Sequence, residues 1–400
     1  MYRYTRSARV PREPARHEPI VRDGTTRLCY GTISAYAFWI YAFGPALALL
    51  RTELHFSYTM LGVYSALWSG GAAVAGLVFG PATRRLSRAA LVWSSAVGGV
   101  AGVGLFVATR SATWTLLGAF VGGLAGTILL SVSQAILSDQ HGPGRDRALV
   151  EANAGAAACA VLTPVILGGL QATAVGWRAA MVLPALALAW LYLRYRHVPM
   201  PARAAAHDTG RSRLPAACWY LAALVAAGIA VEFCVIYFGA ELLATTGLSA
   251  TAAATAMSAF YLGILLGRIG AAVLTRAAGR TVPLVWLSLG VTAAGFLLFW
   301  LAGAPVPAVA GLFVCGLGVA NLYPLSLALA LDAAPGHGDA VNARVQLLGG
   351  VLVVTAPYLL GSLADHLGLT AAFTVEPVLV VGSAVLLLAG LRVGQAGSAG

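Results

Sequence analysis

Of the 400 residues, 59% are hydrophobic and only 10% charged, against roughly 45–50% and about 25% in ordinary soluble domains, which excludes soluble, disordered and fibrous classes. At about 20 residues per bilayer crossing, the apolar positions suffice for on the order of twelve helices, so the solvent this chain needs is lipid. The formal charge of +11 is carried by arginine without any lysine, and its placement reports membrane orientation, not nucleic-acid binding.

In chain order, a head of residues 1–29 carries Arg3, Arg6, Arg9, Arg12, Arg16, Arg22 and Arg27. The apolar run after it exceeds the hydrophobic region of a signal peptide and is expected to stay as the first span. Apolar segments lie near 30–50, 58–80, 90–109, 114–137, 148–172 and 179–195. Residues 198–214 are polar and hold Pro and Arg, the pattern of a linker. Six more segments follow near 216–240, 250–274, 282–301, 308–331, 341–363 and 371–391. The expected organisation is a tail (1–29), a six-helix bundle (30–197), a linker (198–214), a second six-helix bundle (215–393) and a short tail (394–400). Cys29, Cys159, Cys218, Cys234 and Cys315 are odd in number, lack a CxxC and sit in or beside apolar stretches, so neither a disulfide framework nor a metal site is expected.

Short loops rich in arginine stay on the cytoplasmic side. With the head inside, twenty of the 25 arginines fall in inside loops and three outside, Arg51, Arg110 and Arg178. Arg268 and Arg344 fall within spans. Both termini are therefore expected in the cytoplasm. An offset of 193 residues aligns the halves: Leu91-Val92-Trp93 meets Leu284-Val285-Trp286, Gly118, Phe120 and Gly123 meet Gly311, Phe313 and Gly316, Asp139 meets Asp332, and Pro164 and Gly168 meet Pro357 and Gly361. Agreement without a gap through three spans of each half indicates duplication, and two repeated bundles are the plan of a transporter that rocks one half against the other.

After the second span the chain reads Gly80-Pro-Ala-Thr-Arg84-Arg85-Leu-Ser-Arg88, and after the eighth Leu274-Thr-Arg276-Ala-Ala-Gly279-Arg280. These resemble the G-x-L-a-D-r-x-G-r-k loop of the major facilitator superfamily and its second-half version, with Arg84 where the family has Asp. The resemblance covers residues 28–393 and implies an all-α integral membrane fold of twelve helices in two six-helix repeats around a central cavity. The fifth span, with Gly155, Pro164, Gly168 and Gly169, resembles the pattern of proton-coupled drug antiporters in part; Cys159 and Thr163 replace two glycines, and Ala119 stands where such antiporters often have Arg. A packing kink is the alternative reading of Pro164 and Gly168. Gly118, Gly122 and Gly126 on the fourth span, and Gly76 and Gly80 on the second, have the small-xxx-small spacing of helix contacts.

An ionisable group in an apolar run costs several kcal/mol unless it meets a cavity or a partner. Glu232, mid-way through the seventh span, is the leading candidate, and the resemblance implies that this span lines the cavity. It can bind and release a proton during transport, be neutralised by a cationic substrate group, or be a structural acid bonded to a neighbouring helix. Glu151 and Arg344 occupy equivalent positions of the two halves, as do Asn153 and Gln346. With the fifth and eighth spans packed together, as the resemblance implies, Glu151 and Arg268 are expected to form a cytoplasmic gate pair, with Arg344 meeting Asp332, Asp339 or an anionic substrate. Headgroup snorkelling is the alternative. Further cavity candidates, chosen on the family's inner helices, are Asn321, Tyr323, Gln134, Thr127, Ser34, Tyr36, Trp39 and Tyr41; packing or a lipid-facing position is the alternative for each. Glu376 is a weaker one, on a helix the resemblance makes peripheral.

No G-x-x-x-x-G-K-[ST], H-E-x-x-H or nucleophile elbow is present, so neither a nucleotide-driven pump nor an intramembrane enzyme is expected, and no catalytic residue is assigned. The expectation is a monomeric secondary transporter of the bacterial inner membrane. It uses an ion gradient and no cofactor, and it binds a small organic solute and lipid but no nucleic acid. Proton-coupled efflux is the first reading; uptake of a sugar or organic acid is the alternative, and a transporter-like sensor a third.

Overall fold

In the computed structural model the chain is helical throughout the described residues, 21–201, 214–274 and 281–398. The helices are α1 (Gly24–Leu54), α2 (Tyr58–Arg85), α3 (Arg88–Ala108), α4 (Ala112–His141), α5 (Arg145–Gln171), α6 (Trp177–Tyr195), α7 (Ala216–Ala244), α8 (Ala250–Leu274), α9 (Thr281–Leu301), α10 (Pro305–Val319), α11 (Leu322–Asp332), α12 (Gly338–Leu367), α13 (Leu369–Ala372) and α14 (Val375–Ser398). Most of the basic head, most of the expected linker, and Arg276, Gly279 and Arg280 lie outside the described residues.

Local chemistry sets the boundaries. Asp23, Ser57 and Ser87 cap α1, α2 and α3 by accepting from backbone N–H groups three residues on, at 2.9, 3.1 and 3.2 Å. His55 ends α1 in the left-handed region at φ 52°, and Gly176, at φ 77°, opens α6. Among the described residues, eleven helices or helix pairs are long and apolar enough to cross a membrane. The expected sixth span is not in that set: α6 has 19 residues, about 28 Å at 1.5 Å per residue, with Arg178 and Arg194 one residue from its ends. The expected tenth span is α10 and α11 in sequence, broken at Ala320-Asn321.

Within the first half the closest partners are α3 with α4, α2 with α4, and α1 with α5; in the second they are α9 with α10, α8 with α10, and α7 with α12 and α14. The pairs α3/α4 and α9/α10 are equivalent under the 193-residue repeat. Glycine permits these approaches: a Cβ at Gly102 or Gly118 would strike the facing backbone of α4 or α3, and one at Gly295 or Gly311 that of α10 or α9. Gly122 and Gly126 leave room for the rings of Trp68 and Tyr36. Gly76 and Gly80 do not take part, because a Cβ at either would meet nothing within 4 Å, so the expected contact at that pair is absent.

The halves join through α2 with α12, α5 with α8, and α1 with α7 and α8. We call the end that carries the start of α1 the near face and the opposite end the far face. Leu77, Val97, Leu186, Leu193, Leu287, Val351 and Val381 are among the large apolar side chains left exposed, the surface expected of a chain whose solvent is lipid.

Candidate functional site

Glu232 is half-buried on α7, and its carboxylate makes no hydrogen bond and no ion pair among the described residues. Two groups from other helices lie within Coulombic reach, Arg268 of α8 and Tyr261 one helical stretch above it. Tyr41 of α1 completes the junction, within reach of both Glu232 and Arg268. The site is closed toward the far face by aromatic packing: the rings of Tyr41 and Tyr261 meet edge to face at 5.0 Å, and the Tyr261 hydroxyl donates to the Tyr41 carbonyl at 3.3 Å. Arg268 is seven residues after Tyr261, two turns on, so it lies on the face of α8 that carries Tyr261 and closer to the near face. Arg268 is exposed.

The break in the tenth span comes to the same place. Asn321, 9% exposed, sits between α10 and α11 and donates its side-chain amide to the carbonyl of Gly267 at 3.1 Å, tying the break to the residue before Arg268. Tyr323, 38% exposed, is two residues on.

Glu151 and Arg268 are not brought together. Glu151 is held within the first half: Arg22 grips both carboxylate oxygens at 2.9 Å, the Tyr30 hydroxyl donates at 3.1 Å, and Arg147 lies at 3.4 Å one turn earlier. Arg344 lies over the ring of Trp219, 5.1 Å from its centre, and makes no ion pair with Asp332; the side chain of Asp339 lies outside those described.

Several candidates on α1 are placed inside the first bundle instead of at the junction. Trp39 is fully buried, with its indole N–H donating to the Met181 carbonyl at 2.9 Å and its ring against Gly99. Tyr36, 3% exposed, shares a hydrogen bond of 2.9 Å with Thr127 and stacks on Trp68. Both are satisfied packing groups, because they project from the side of α1 that meets α3, α4 and α6. Ser34 is half-buried beside Gly155, and Gln134 is half-buried on α4. Glu376 is fully buried, its carboxyl oxygens without a hydrogen-bond partner.

Of the expected conformational loop, Arg84 and Arg85 end α2, and Arg88 opens α3, where it pairs with Asp139 at the end of α4. Gly80 and Arg88 line a cavity of about 640 Å³ between the α2–α3 turn, α4 and residues 198–201. Gly168 meets α8: a Cβ there would strike the side chain of Thr255. Gly361, its equivalent in the other half, lies against the Tyr58 carbonyl. Pro164 and Pro357 lie within α5 and α12.

A clasp at the far face was not anticipated. Arg51 of α1 donates to Glu241 of α7 at 3.0 Å and lies 3.9 Å from the centre of the Tyr58 ring. Asp365 of α12 accepts from the backbone N–H groups of Tyr58 and Thr59, at 2.8 and 2.7 Å, at the N-terminus of α2. The Arg51–Glu241 pair and the bonds to Asp365 cross between halves. The sequence carried a signal: Arg51 and Glu241 are both three residues from the far ends of their helices, which places opposite charges at one depth.

The Major Facilitator Superfamily model matches residues 28–243 and again 220–398, two overlapping matches that together span both halves. No curated protein matches the chain by sequence. Among solved structures, the nucleoside transporter NupG superposes with a TM-score of 0.71 at 14% identity, over 92% of this chain and 98% of that one. A bacterial homolog to the human lysosomal transporter Spinster, in an inward-facing and occupied conformation, gives 0.66 at 14% identity, over 94% and 95%. At such identity these likenesses establish the shared fold, and the family match covers nearly the whole chain: the protein belongs to the major facilitator superfamily.

Proposed function

We propose that the protein is a proton-coupled secondary transporter of a small organic solute, working by alternating access, with Glu232 as the group that binds and releases the proton. The supporting observation is the Glu232 carboxylate itself: half-buried in mid-span, without a hydrogen bond among the described residues, at the junction of α1, α7 and α8. A carboxylate that cycles between charged and neutral must remain reachable, as the half-buried Glu232 is and the fully buried Glu376 is not. In this reading α6 is the twelfth crossing, its two arginines extending to the interfaces, and the halves enclose a central cavity. The near face is cytoplasmic in a bacterial inner membrane, with both termini there. The clasp then closes the outer side, and a proton gradient supplies the driving free energy without a bound cofactor.

Efflux by exchange rests on the fifth-span pattern, and Gly168 has a packing role against Thr255 that accounts for it in part. Uptake uses the same Glu232 chemistry, and the direction of proton movement separates the two. Purified protein in liposomes with an imposed pH gradient is expected to move protons when solutes from a panel of acids, sugars and drugs are added. Glu232→Gln is expected to abolish that proton movement while keeping solute counterflow. Solute-driven proton movement of wild-type size in Glu232→Gln would remove Glu232 from the proton path.

A further inference from the structure

Of α1, α5 and α3, α6 meets α3 least, and the space left between α3 and α6 is a cavity of about 300 Å³. Its walls are apolar: Trp93, Val97 and Val100 on α3, and Ala185, Ala189 and Tyr192 on α6. Spacings of four and seven keep each row on one helix face, so the two rows border a groove about 10 Å long. Val97, 68% exposed, and Tyr192, 43% exposed, leave it open to the surface that meets lipid. At its near-face end the rings of Trp93 and Tyr192 meet edge to face at 5.0 Å. One turn beyond Tyr192, on the same face of α6, Arg196 holds its guanidinium 5.8 Å from the centre of that ring and makes no ion pair with any described residue. Carried through the 193-residue offset, Tyr192 and Arg196 fall on Val385 and Ala389. The second half has neither ring nor cation there, so this pair is no part of the packing pattern that the halves share.

We propose that this groove docks an anionic phospholipid, with one acyl chain along Val97, Val100 and Ala189, the ester region across the Trp93 and Tyr192 rings, and the phosphate on Arg196. The walls offer no set of polar groups to orient a water-soluble solute, whereas an acyl chain needs only apolar contact. Trp93 is five residues from the start of α3, about 7 Å below the near end, the depth at which amphipathic rings meet the headgroup layer. A guanidinium pairs with phosphate through two parallel N–H donors. The sign of the headgroup follows from charge: with no carboxylate among the described residues paired to it, Arg196 attracts a net anion, while a zwitterionic headgroup brings a cation of its own to the same place. The bound chain fills the space that α3 and α6 leave between them and so holds α6 to the bundle. Arg194, two residues before Arg196 and on another face of α6, lies 5.3 Å from the centre of the Tyr195 ring and takes no part.

The test uses the full-length protein, freed of lipid in detergent, with phosphatidylglycerol and phosphatidylcholine of identical palmitoyl and oleoyl chains, and with glycerol 3-phosphate. Native mass spectrometry counts bound molecules, and thermal melting reads their effect. Wild type is expected to retain one phosphatidylglycerol with an affinity at least about tenfold above that for phosphatidylcholine, to melt at a higher temperature with it, and to ignore glycerol 3-phosphate. Arg196→Gln should weaken phosphatidylglycerol at least about fivefold, the worth of one arginine at a charged lipid, and Arg194→Gln, at the same depth, less than about twofold. Ala189→Phe, at an exposed position, should fill the groove, weaken phosphatidylglycerol at least about tenfold and abolish the gain in melting temperature. Equal retention of the two lipids by wild type would overturn the proposal, and that comparison decides even where a variant fails to fold. So would equal losses in Arg194→Gln and Arg196→Gln, which mean general attraction to a basic surface, or unchanged binding in a monodisperse Ala189→Phe protein, which means a headgroup contact outside the groove. Glycerol 3-phosphate binding as tightly as the lipid would replace the lipid site by one for a soluble anion.

Discussion

Asp23 joins the start of α1 to the end of α4 at the near face. It caps α1 through the Thr26 N–H at 2.9 Å and accepts from the Gln140 side chain of α4, while the Thr26 hydroxyl meets His141 at 2.9 Å. Burial pushes the Asp23 carboxyl up, but the hydrogen bonds from Thr26 and Gln140 outweigh it and hold the group below its ordinary value. A depressed carboxylate contributes stability above the unfolded value, near 3.9, and loses it as pH falls from there through the folded value. Asp23→Ala is therefore expected to cost about 1 kcal/mol at neutral pH, the usual worth of an N-cap, and the gap to wild type in thermal melts should close as pH drops below about 4. A gap that did not narrow at all as pH fell below about 4 would mean that the carboxylate charge is not what matters. At this scale the sequence is informative about single charges and poor about neutral groups. Glu232 stood out because one carboxylate in an apolar run is costly whatever surrounds it. Trp39 and Tyr36 could not be placed, because their roles depend on which neighbour each side of α1 meets, and composition does not say. The same limit applied to Glu151: its partner Arg22 lies in the basic head, whose meeting with α5 is a tertiary event.

Element boundaries followed the apolar runs closely, since lipid enforces length and the Ser and Asp caps punctuate the turns. The eighth segment, expected near 250–274, is α8 (Ala250–Leu274). The break in the tenth span was not read, although Gly316, Gly318, Asn321 and Pro324 gather around it; hydropathy averages over a break that keeps its apolar neighbours. Glycines show the same gap between spacing and contact. A Cβ at Gly76 or Gly80, a Gly-xxx-Gly pair, would touch nothing, whereas Gly44, with no glycine four residues away, lies where a Cβ would run into the Ile236 carbonyl of α7. Gly44→Ala is therefore expected to force α1 from α7 and to lower stability by about 1–3 kcal/mol, as overpacking does. Gly76→Ala should leave it unchanged or raise it by up to about 1 kcal/mol through helix propensity. Melting of the two purified variants checks both, and equal effects would show that the α1–α7 contact yields freely.

The duplication was legible over residues 91–168 and 284–361 because each half preserves its own packing residues, but the way the halves meet was not, since neither half's periodicity encodes the other's register. That meeting is concentrated at the far face, where Arg51–Glu241 and the two hydrogen bonds from α2 to Asp365 cross between halves. The alternating access proposed above requires these contacts to break, so their strength would set the balance between a closed and an open far face. A hydrogen bond to a charged group contributes about 1.5–3 kcal/mol, and at a helix N-terminus the dipole adds to it. Losing about 2 kcal/mol shifts a two-state balance about thirtyfold, at about 1.4 kcal/mol per factor of ten. Asp365→Ala and Glu241→Gln should therefore each convert a mainly closed population into one with a large open fraction. Spin labels at Ser111→Cys and Ala304→Cys, exposed far-face positions equivalent under the repeat, report this by pulsed electron resonance. Cys29, Cys218, Cys234 and Cys315 are buried, so Cys159→Ala removes the one half-buried native thiol from the background. The expected result is a short distance in the parent protein and a longer component in both variants, with the double variant no more open than the two shifts combined. An unchanged distribution in both would mean that apolar packing of α1 on α7 and α2 on α12 holds the far face shut, and that the charges only set its register.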